Sequence, residues 1–369
     1  MEENKKNKVP NVPNLRLPGF VNSYQKTKIG KCLKIKSGQD QKGICCNNGK
    51  YKIFGTGGVI GTTNFFLYDK ESVGIGRKGT IDKPFFFDEP FWTVDTLFYS
   101  VIYKGFSPKY IYYLFQTINW KKYNSSTGVP SLTSSTIESI DISIPSLEEQ
   151  CKVSKFLTLI DQRIETQNKI IEKYESLIKQ LNDDLFSHDS NSKIGEYIQE
   201  SSKRNKNGTI TNVLSVSNKN GFVKQSEQFE DKELASEDKT NYKIVQKGDF
   251  AFNPARINVG SIALLKNQEI GIVSPMYICF KAKNIPNEVL ESFFSSSSFK
   301  KEMNKRLEGS VRMCLTIDGM KNIPFHKPNE KEIDTLNHLS KLKELVSLNK
   351  RILDLYNSQK SYLLSNLFI

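Results

Sequence analysis

A glycine-rich run at residues 55–61 is the stretch of this 369-residue chain that comes nearest to a nucleotide-binding loop. A dinucleotide site needs the spacing GxGxxG before a helix, with an acidic residue further along the chain. This run reads GxGxxxG, and no helix with such an acidic residue follows it. Gly49 and Lys50 are followed by Tyr51, where a phosphate-binding loop needs Ser or Thr. We therefore predict a turn in a β-rich domain rather than a nucleotide site.

Catalytic groups are equally scarce in the sequence. The motif Asn253-Pro-Ala-Arg256 lacks the second proline and the aromatic residue of the Asn-Pro-Pro-aromatic corner with which adenine methyltransferases hold a flipped base. The histidines His188, His326 and His338 are scattered, and the sequence has no paired carboxylates beside a lysine, as a nuclease needs. We predict a chain without a catalytic site and without a cofactor of its own.

The six cysteines show no CxxC spacing, and Cys45 and Cys46 are too close to form an ordinary disulfide with each other. With only three histidines in the chain, a zinc site is not expected. The first eight residues are charged, no signal-peptide core follows them, and no apolar run has the length of a membrane span. These features predict a cytoplasmic protein with reduced thiols.

The element that must position any functional loops is a long amphipathic helix over residues 146–187. Apolar residues recur there at alternating steps of four and three, which is the seam pattern of a coiled coil. Pro145 and Ser146 precede the run, and Glu148 and Glu149 lie in the first turn, where the helix dipole favours negative charge. At ~1.5 Å per residue the helix is roughly 60 Å long. The seam consists of Val153, Leu157, Ile160, Ile164, Gln167, Ile171, Tyr174, Ile178, Leu181 and Leu185.

The same pattern returns near the C-terminus at a constant offset. Gln167 corresponds to Asn349 and Tyr174 to Tyr356, whereas Lys360 takes the place of Ile178. Segments before the helices also correspond, as in residues 28–30 and 193–195. The chain therefore reads as two copies of a globular domain followed by a helix. The second seam consists of Leu339, Leu342, Val346, Asn349, Leu353, Tyr356, Leu363 and Leu367.

The repeat predicts an α+β protein whose domains have a mixed, β-rich sheet with helices. Strands are expected at residues 51–54 and 65–68, among others, and helices at residues 108–119 and 287–306. The predicted boundaries are an N-terminal leader at 1–20, domains at 21–145 and 189–327, and long helices at 146–188 and 328–369.

Basic charge is concentrated on the two globular segments. Residues 1–145 carry 20 Lys and Arg against 11 Asp and Glu, and residues 189–327 carry 21 against 16. The long helices do not share this excess, although the whole chain has a net charge of +13. Basic domains favour phosphate backbones through counterion release, so the distribution indicates a nucleic-acid partner.

In this arrangement the chain resembles the specificity subunits of type I restriction-modification systems. The resemblance covers nearly the whole chain and depends on the order of short motifs within the repeat. Those motifs are Val12-Pro-Asn-Leu-Arg-Leu-Pro-Gly-Phe20, Tyr51-Lys-Ile-Phe-Gly-Thr-Gly-Gly-Val-Ile-Gly61, Ile75-Gly-Arg-Lys-Gly-Thr80, Pro145-Ser-Leu-Glu-Glu-Gln150, Gly248-Asp-Phe-Ala-Phe252 and Ser274-Pro-Met-Tyr277.

The resemblance implies a non-catalytic reader of double-stranded DNA. Each globular part would be a target-recognition domain for one half of a gapped, asymmetric site, and the two helices would pack antiparallel as a coiled-coil spacer that sets the gap. The expected partners are two methylase subunits and two restriction-translocase subunits. S-adenosylmethionine, ATP and Mg²⁺ are expected only on those partners.

Candidate DNA contacts lie in glycine-containing and basic loops, where the backbone can approach a phosphate or a base edge closely. Arginine suits bidentate contact with guanine. For a lysine alone, a solvated surface charge is the better interpretation. The predicted DNA-binding residues are Thr56, Gly58, Thr62, Asn64, Arg77, Lys78, Asn218, Lys219, Arg256, Asn258, Ser261 and Arg312.

Spacer packing is predicted for Ile160, Ile164, Gln167, Ile171, Tyr174, Leu342, Val346, Asn349, Leu353 and Tyr356. Among them, Gln167 and Asn349 are predicted to face each other and fix the register of the helices. Other functions stay open on the sequence alone. The chain could be the recognition module of another restriction system, a stand-alone sequence-specific DNA-binding protein, or a coiled-coil adaptor whose basic domains bind protein. Salt-sensitive duplex binding would separate the DNA readers from the adaptor.

Overall fold

The computed structural model describes residues 11–218, 220–225, 238–310 and 312–369. The chain divides into two compact units. Unit 1 comprises Met1–Asn168 and Arg351–Ile369, and unit 2 comprises Lys169–Lys350. The long helices α3 (Leu147–Leu185) and α7 (Glu330–Leu367) each contribute one part to unit 1 and the other part to unit 2.

Unit 1 is built around two small sheets. The antiparallel sheet has the order β2-β8-β5-β6, and the second sheet has the order β4-β3-β7, in which β3 and β7 are parallel; β1 pairs with β9. The elements are β1 (Gln25–Lys28), β2 (Leu33–Ser37), β3 (Tyr51–Gly55), β4 (Gly58–Thr63), β5 (Ser72–Gly76), β6 (Phe85–Phe87), β7 (Phe91–Thr93), β8 (Leu97–Ile102), α1 (Pro108–Thr117), α2 (Ser134–Ser139) and β9 (Asp141–Ile144).

Unit 2 repeats this topology. The antiparallel sheet has the order β11-β18-β15-β16, the second sheet has the order β13-β12-β17-β14 with β12 and β17 parallel, and β10 pairs with β19. The elements are β10 (Ser192–Lys193), β11 (Ile198–Ser201), β12 (Val213–Ser217), β13 (Gly221–Lys224), β14 (Lys243–Gln246), β15 (Asp249–Phe252), β16 (Ile262–Leu264), β17 (Ile270–Val273), β18 (Ile278–Ala282), α4 (Asn287–Ser295), α5 (Ser297–Asn304), α6 (Ile317–Lys321) and β19 (Pro324–Phe325). The predicted α+β fold is confirmed.

One glycine in each unit, Gly30 or Gly195, makes the same close contact with a short helix. A Cβ on Gly30 would lie 3.0 Å from the backbone oxygen of Glu138 in α2, and a Cβ on Gly195 would lie 2.9 Å from that of Lys321 in α6. Only glycine lets these segments approach so closely. The residue before each glycine, Ile29 or Ile194, donates its backbone N–H at 3.0 Å to a carbonyl just after the same short helix, that of Ile140 or Ile323.

The long helices begin at side-chain caps, as their first residues predict. Ser146 Oγ accepts from the Glu149 N–H, and Asn329 Oδ1 accepts from the Glu332 N–H. Along both helices every residue of the predicted seams is buried or half-buried, and Ser154, Asn182 and Leu336 are buried outside those seams. Among the predicted packing residues, the buried ones are Ile160, Gln167, Ile171 and Val346, and the half-buried ones are Ile164, Tyr174, Leu342, Asn349, Leu353 and Tyr356.

The two helices are antiparallel within each unit. In unit 1, Asp161 lies 2.7 Å from Lys360, and Arg163 donates to the Tyr356 hydroxyl at 3.4 Å. The lysine that interrupts the second seam is therefore ion-paired. In unit 2, Glu175 lies 2.7 Å from Lys350. The facing of Gln167 and Asn349, which belong to different units, stays a prediction.

Two predicted elements differ in the structure. Residues 65–68 form no strand, and Tyr68 makes only an isolated bridge to Phe91. The Thr63 hydroxyl accepts from the Phe65 N–H, a local turn that competes with a strand. The helix predicted at 287–306 is divided at Ser296. The Ser296 hydroxyl donates to the carbonyl of Phe293 and accepts from the N–H of Phe299, so it ends α4 and begins α5.

The described part of the N-terminal leader is fixed to unit 1. Arg16 makes a two-pronged ion pair with Glu149 at 2.8 and 2.7 Å, and the Glu149 side chain is only 1% exposed. Tyr24 also donates to Glu149, at 3.3 Å. This pairing raises the pKa of Arg16, so the guanidinium stays charged. A carboxylate buried this deeply needs such partners, because removing one leaves an uncompensated charge.

None of the helices in the described part of the chain has both the length and the apolar composition of a membrane span.

We predict that Arg16→Ala destabilises unit 1 by about 3 kcal/mol, because Glu149 loses its buried counter-charge. Both tryptophans of the chain, Trp92 and Trp120, are buried in unit 1. A urea titration followed by tryptophan fluorescence therefore reports this unit. The matched control is Lys152→Ala, which breaks an exposed ion pair with Glu148 and is expected to change stability by less than about 1 kcal/mol.

The reactivity of one buried cysteine in each unit shows which unit the substitution Arg16→Ala destabilises. Burial raises the pKa of Cys32 in unit 1 to about 11 and the pKa of Cys279 in unit 2 to about 12, so both are poor nucleophiles while folded. Below the urea transition, Arg16→Ala should speed the alkylation of Cys32 and leave that of Cys279 unchanged. Equal tryptophan transitions in Arg16→Ala and the wild type would show that the ion pair contributes nothing to unit 1.

Candidate nucleic-acid interface

In unit 1 the hairpin formed by β3 and β4 meets the basic loop after β5. The hairpin turns at Thr56 and Gly57, and Gly58 has a φ of +118°, which favours glycine. A Cβ on Gly79 of the basic loop would lie 3.7 Å from the Thr56 hydroxyl. The structure thus brings together Thr56, Gly58 and the loop of Arg77 and Lys78, which the sequence predicted separately.

The basic loop of unit 1 is held by its backbone, which leaves its cationic side chains at the surface. The N–H groups of Arg77 and Lys78 both donate to the carbonyl of Thr96, and the carbonyl of Arg77 accepts from the N–H of Leu132 at 2.9 Å. The Arg77 guanidinium lies 6.0 Å from the ring of Phe98. Both cations line a surface groove of about 340 Å³ with Ser37, Phe98, Ser131, Leu132, Thr133 and Ser134.

Thr62 and Asn64 have structural partners in unit 1. The Thr62 hydroxyl accepts from the Gly49 N–H at 3.0 Å and donates to the Cys46 carbonyl at 2.7 Å. Asn64 Oδ1 accepts from the Lys50 N–H at 3.3 Å. These bonds fix the loop before β3, so the two side chains position a loop beside the hairpin. Their predicted contact with DNA stays a prediction.

In unit 2 the predicted residues converge on a small polar pocket of about 60 Å³. The pocket includes Asn218, Arg256 and Ser261. Gly260 has a φ of +93°, and a Cβ there would lie 3.5 Å from that of Asn218, so the loop after β15 lies against the turn after β12. Ser261 is buried and donates to the carbonyl of Val216 at 3.0 Å, which makes it a brace for this arrangement.

Arg256 is the exposed cation of this pocket. No side chain in the described ranges of unit 2 hydrogen-bonds or ion-pairs with its guanidinium, and nearby Asn258 is also exposed. Arg312 is exposed on a neighbouring loop between Glu308 and Cys314. Lys219 lies outside the described residues.

The basic loops of the two units occupy the same place in the shared topology. The N–H of Leu132 donates to the carbonyl of Arg77 in unit 1, and the N–H of Leu315 donates to the carbonyl of Pro254 in unit 2 at 3.1 Å. Each leucine is followed by the threonine that caps a short helix, α2 or α6. The loop of Arg77 and the loop that contains Pro254 and Arg256 are therefore structural counterparts.

Large apolar side chains beside these loops were missed by the sequence reasoning. Val59 and Ile60 of the unit 1 hairpin are exposed, as are Val259 and Met276 in unit 2. A sequence pattern cannot reveal them, because their exposure depends on which face of a short hairpin or turn is covered. The clue in the sequence was only that Val59 follows the predicted contact Gly58 and that Val259 follows the predicted contact Asn258.

Two histidines of the described residues, His188 and His326, lie beside one carboxylate. His326 and His188 contact Glu332 at 3.1 and 3.7 Å at the start of α7. Burial acts to raise the pKa of Glu332, but hydrogen bonds from the Asn329 N–H and from His326 outweigh it and lower the pKa. Within the described ranges, no group of His, Cys, Asp and Glu has the arrangement of a metal site.

Comparisons with known proteins agree with this architecture. Residues 22–176 match the family model of the Type I restriction modification DNA specificity domain. The chain is also 36% identical over 89 residues to the Type I restriction enzyme MjaIX specificity subunit of Methanocaldococcus jannaschii. That match covers 22% of this chain and 21% of the relative, so it spans about a fifth of the relative's length.

Similarity to solved structures extends over the whole fold. The type I restriction-modification S subunit from M. genitalium superposes with a TM-score of 0.66 at 17% identity, covering 97% of this chain and 99% of that one. A chain from a structure concerned with complex assembly and conformational transition of the type I system gives a TM-score of 0.53 at 12% identity, covering 96% and 98%.

Residues 22–176 are thus similar to a DNA specificity domain of the type I restriction-modification class, and the chain is similar in fold to an S subunit over nearly its whole length. The sequence matches cover residues 22–176 and an 89-residue segment, and the similarity over the remainder of the chain is one of fold. The predicted resemblance to type I specificity subunits is confirmed.

Proposed function

We propose that this chain reads a gapped, two-part DNA site, with one half-site for each unit, and performs no catalysis itself. The strongest support is that the two units carry arginine-containing loops at the same point of the same topology, beside Leu132 and Leu315, with Arg77 half-buried and Arg256 exposed. Two readers on one chain are what an asymmetric bipartite site requires.

Charge supports DNA as the ligand. Both globular segments are basic, and Arg256 has a guanidinium free of ion pairs within the described part of unit 2. Such an arginine can donate two hydrogen bonds to guanine in the major groove. The surrounding lysines would supply phosphate contacts that position the protein without reading sequence.

The long helices are proposed as the spacer between the half-sites. Their seams are buried or half-buried along almost their whole length, which makes each helix a stiff element rather than a linker. In this proposal two methylase subunits and two restriction-translocase subunits assemble with the chain in the cytoplasm. Those partners bind S-adenosylmethionine, ATP and Mg²⁺, and this chain binds no cofactor.

The decisive experiment is a methylome of the host with and without this gene, by single-molecule sequencing. Loss of a gapped methyladenine motif together with the gene would support the proposal and reveal the target. An unchanged methylome, although a methylase subunit is expressed and co-purifies with the chain, would exclude it. Salt-sensitive duplex binding without any methylase association would instead favour a stand-alone DNA-binding protein.

We predict that Arg256→Ala weakens binding to the target duplex by about ten- to a hundredfold and relaxes the preference at one base pair, because a bidentate pair is worth about 1–3 kcal/mol of discrimination. Arg256→Lys should keep the positive charge that Arg256→Ala removes, but it should not keep the preference for that base pair. Fluorescence anisotropy with single-base variants of the site measures both effects.

Arg204→Ala is the matched control for this prediction. It removes an exposed arginine of the same unit that is already hydrogen-bonded to Asn241, and it changes the net charge equally. If Arg204→Ala and Arg256→Ala lower affinity alike at every sequence, Arg256 acts only through charge, and its role in reading a base is refuted.

We predict that deleting one heptad from each helix, residues 164–170 and 346–352, shortens the gap of the methylated motif by about three base pairs. Seven residues correspond to about 10.5 Å of helix, against about 3.4 Å per base pair. The seam pattern survives this deletion, because whole heptads are removed. Methylome sequencing of the variant strain measures the gap.

The control for the deletion keeps both lengths and replaces the exposed, equivalent positions Thr166 and Leu348 by Ala. This variant should methylate the original motif. A methylated motif whose gap is unaltered in the deletion variant would show that the helices do not set the spacing.

A further inference from the structure

Three loops of unit 2 bring large, exposed apolar side chains to the surroundings of Arg256. Val259 is 53% exposed, Met276 is 59% exposed, and Met313 is 47% exposed. Single exposed apolar residues are ordinary on protein surfaces, but a cluster of them marks a binding surface. The cluster here lies within a polar and basic setting, so its ligand must combine polar and apolar groups.

Contacts tie the first two side chains to one place. Val259 ends the short turn that follows Arg256, and its N–H donates to the Arg256 carbonyl at 3.2 Å. Val259 also lines the polar pocket together with Asn253. Asn253 in turn directs its amide nitrogen towards the sulfur of Met276 at 3.8 Å. An arginine and two apolar groups are thus presented side by side.

The loop of Met313 lies beside the loop of Arg256, because a backbone hydrogen bond joins them. Met313 follows Arg312, and the N–H of Leu315 two residues later donates to the carbonyl of Pro254. The loop of Arg312 and the loop of Arg256 are therefore neighbours. Each loop pairs an exposed arginine with an exposed apolar residue.

The edges of base pairs in the major groove offer one apolar group, the C5-methyl of thymine, beside the acceptors of guanine that arginine reads. We propose that Val259 and Met276 contact thymine methyl groups in the half-site read by unit 2, next to the base pair contacted by Arg256. This inference rests on the proposed function and specifies the chemistry that unit 2 recognises.

For Val259, the geometry favours a contact at the base edge over insertion between bases. Side chains that wedge into a base step are long or planar, such as Phe, Leu, Ile or Met, and Val259 is short and branched at Cβ. It also lies on a tight turn that is closed by Gly260 in the left-handed region. A short branched group on such a turn can cover a methyl group but cannot separate stacked bases.

The test uses the full chain, together with its methylase subunit if binding requires it, on the duplex that the methylome defines. The half-site of unit 2 is the one at which Arg256→Ala relaxes the preference. All thymines of that half-site are replaced by deoxyuridine, which pairs in the same way but lacks the methyl group. Dissociation constants are measured on both duplexes for the wild type, Val259→Ser and Met276→Gln.

We expect the wild type to bind the deoxyuridine duplex about fourfold more weakly for each contacted methyl group, as the burial of one methyl-sized group implies. Val259→Ser should bind the thymine duplex more weakly by a similar factor and lose little more on deoxyuridine. Ile270→Ser, which removes another exposed apolar side chain of unit 2 outside the pocket, should behave as the wild type.

Three results would overturn the inference. The half-site of unit 2 could contain no thymine, the wild type could bind both duplexes equally, or Val259→Ser and Met276→Gln could each lose the same factor on both duplexes. In all three cases the chain still binds a defined site. Failure of the proposed function is different, because no variant or wild-type protein would then bind a methylated motif specifically.

Discussion

The interaction on which the rest of the structure depends is the burial of the helix seams in the cores of the units. The core of unit 1 contains Val153 and Leu157 from the first long helix together with Leu363, Leu367 and Phe368 from the end of the chain. Unit 1 is therefore assembled from both ends of the sequence. Its first half cannot complete its core until the last residues have been made, whereas the core of unit 2 is continuous in sequence.

Charges reinforce that assembly in unit 1. Asp161 lies between Lys360 and the hydroxyl of Tyr113, which donates to it at 2.8 Å, so the two long helices and α1 share one carboxylate. The buried pair of Arg16 and Glu149 attaches the leader at the start of the same helix. Such pairs specify an arrangement more than they stabilise it, because a pair of apolar residues would satisfy a core equally well.

Much of this fold could be predicted from the sequence. The spacing of the seam residues follows from the geometry of the α-helix, and the repeat is visible as similarity between the two halves of the sequence. The stripe from Val153 to Leu185 needs only the 3.6-residue turn. The absence of a strand at 65–68 could not be predicted from the sequence. It accompanies a turn in which the Thr63 hydroxyl accepts a hydrogen bond from the Phe65 N–H. The interface was harder still. Thr62 and Ser261 have the residue types of a recognition loop, yet their hydroxyls bond to backbone groups that are distant in the sequence, at Gly49 and at Val216, which only the folded structure reveals.

The two units of the chain share a frame and differ in the loops that this frame holds. Gly30 and Gly195 hold equivalent close approaches to α2 and α6, and the leucines before those helices hold the reading loops by equivalent backbone bonds. Because these bonds involve N–H and C=O groups, they accept any side chain in the loop itself. Unit 1 presents Arg77 and Lys78 at the place where unit 2 presents Pro254 and Ala255, and the frame around them is unchanged. The loops that are proposed to read DNA can therefore differ between the halves of one chain while the fold that carries them stays the same.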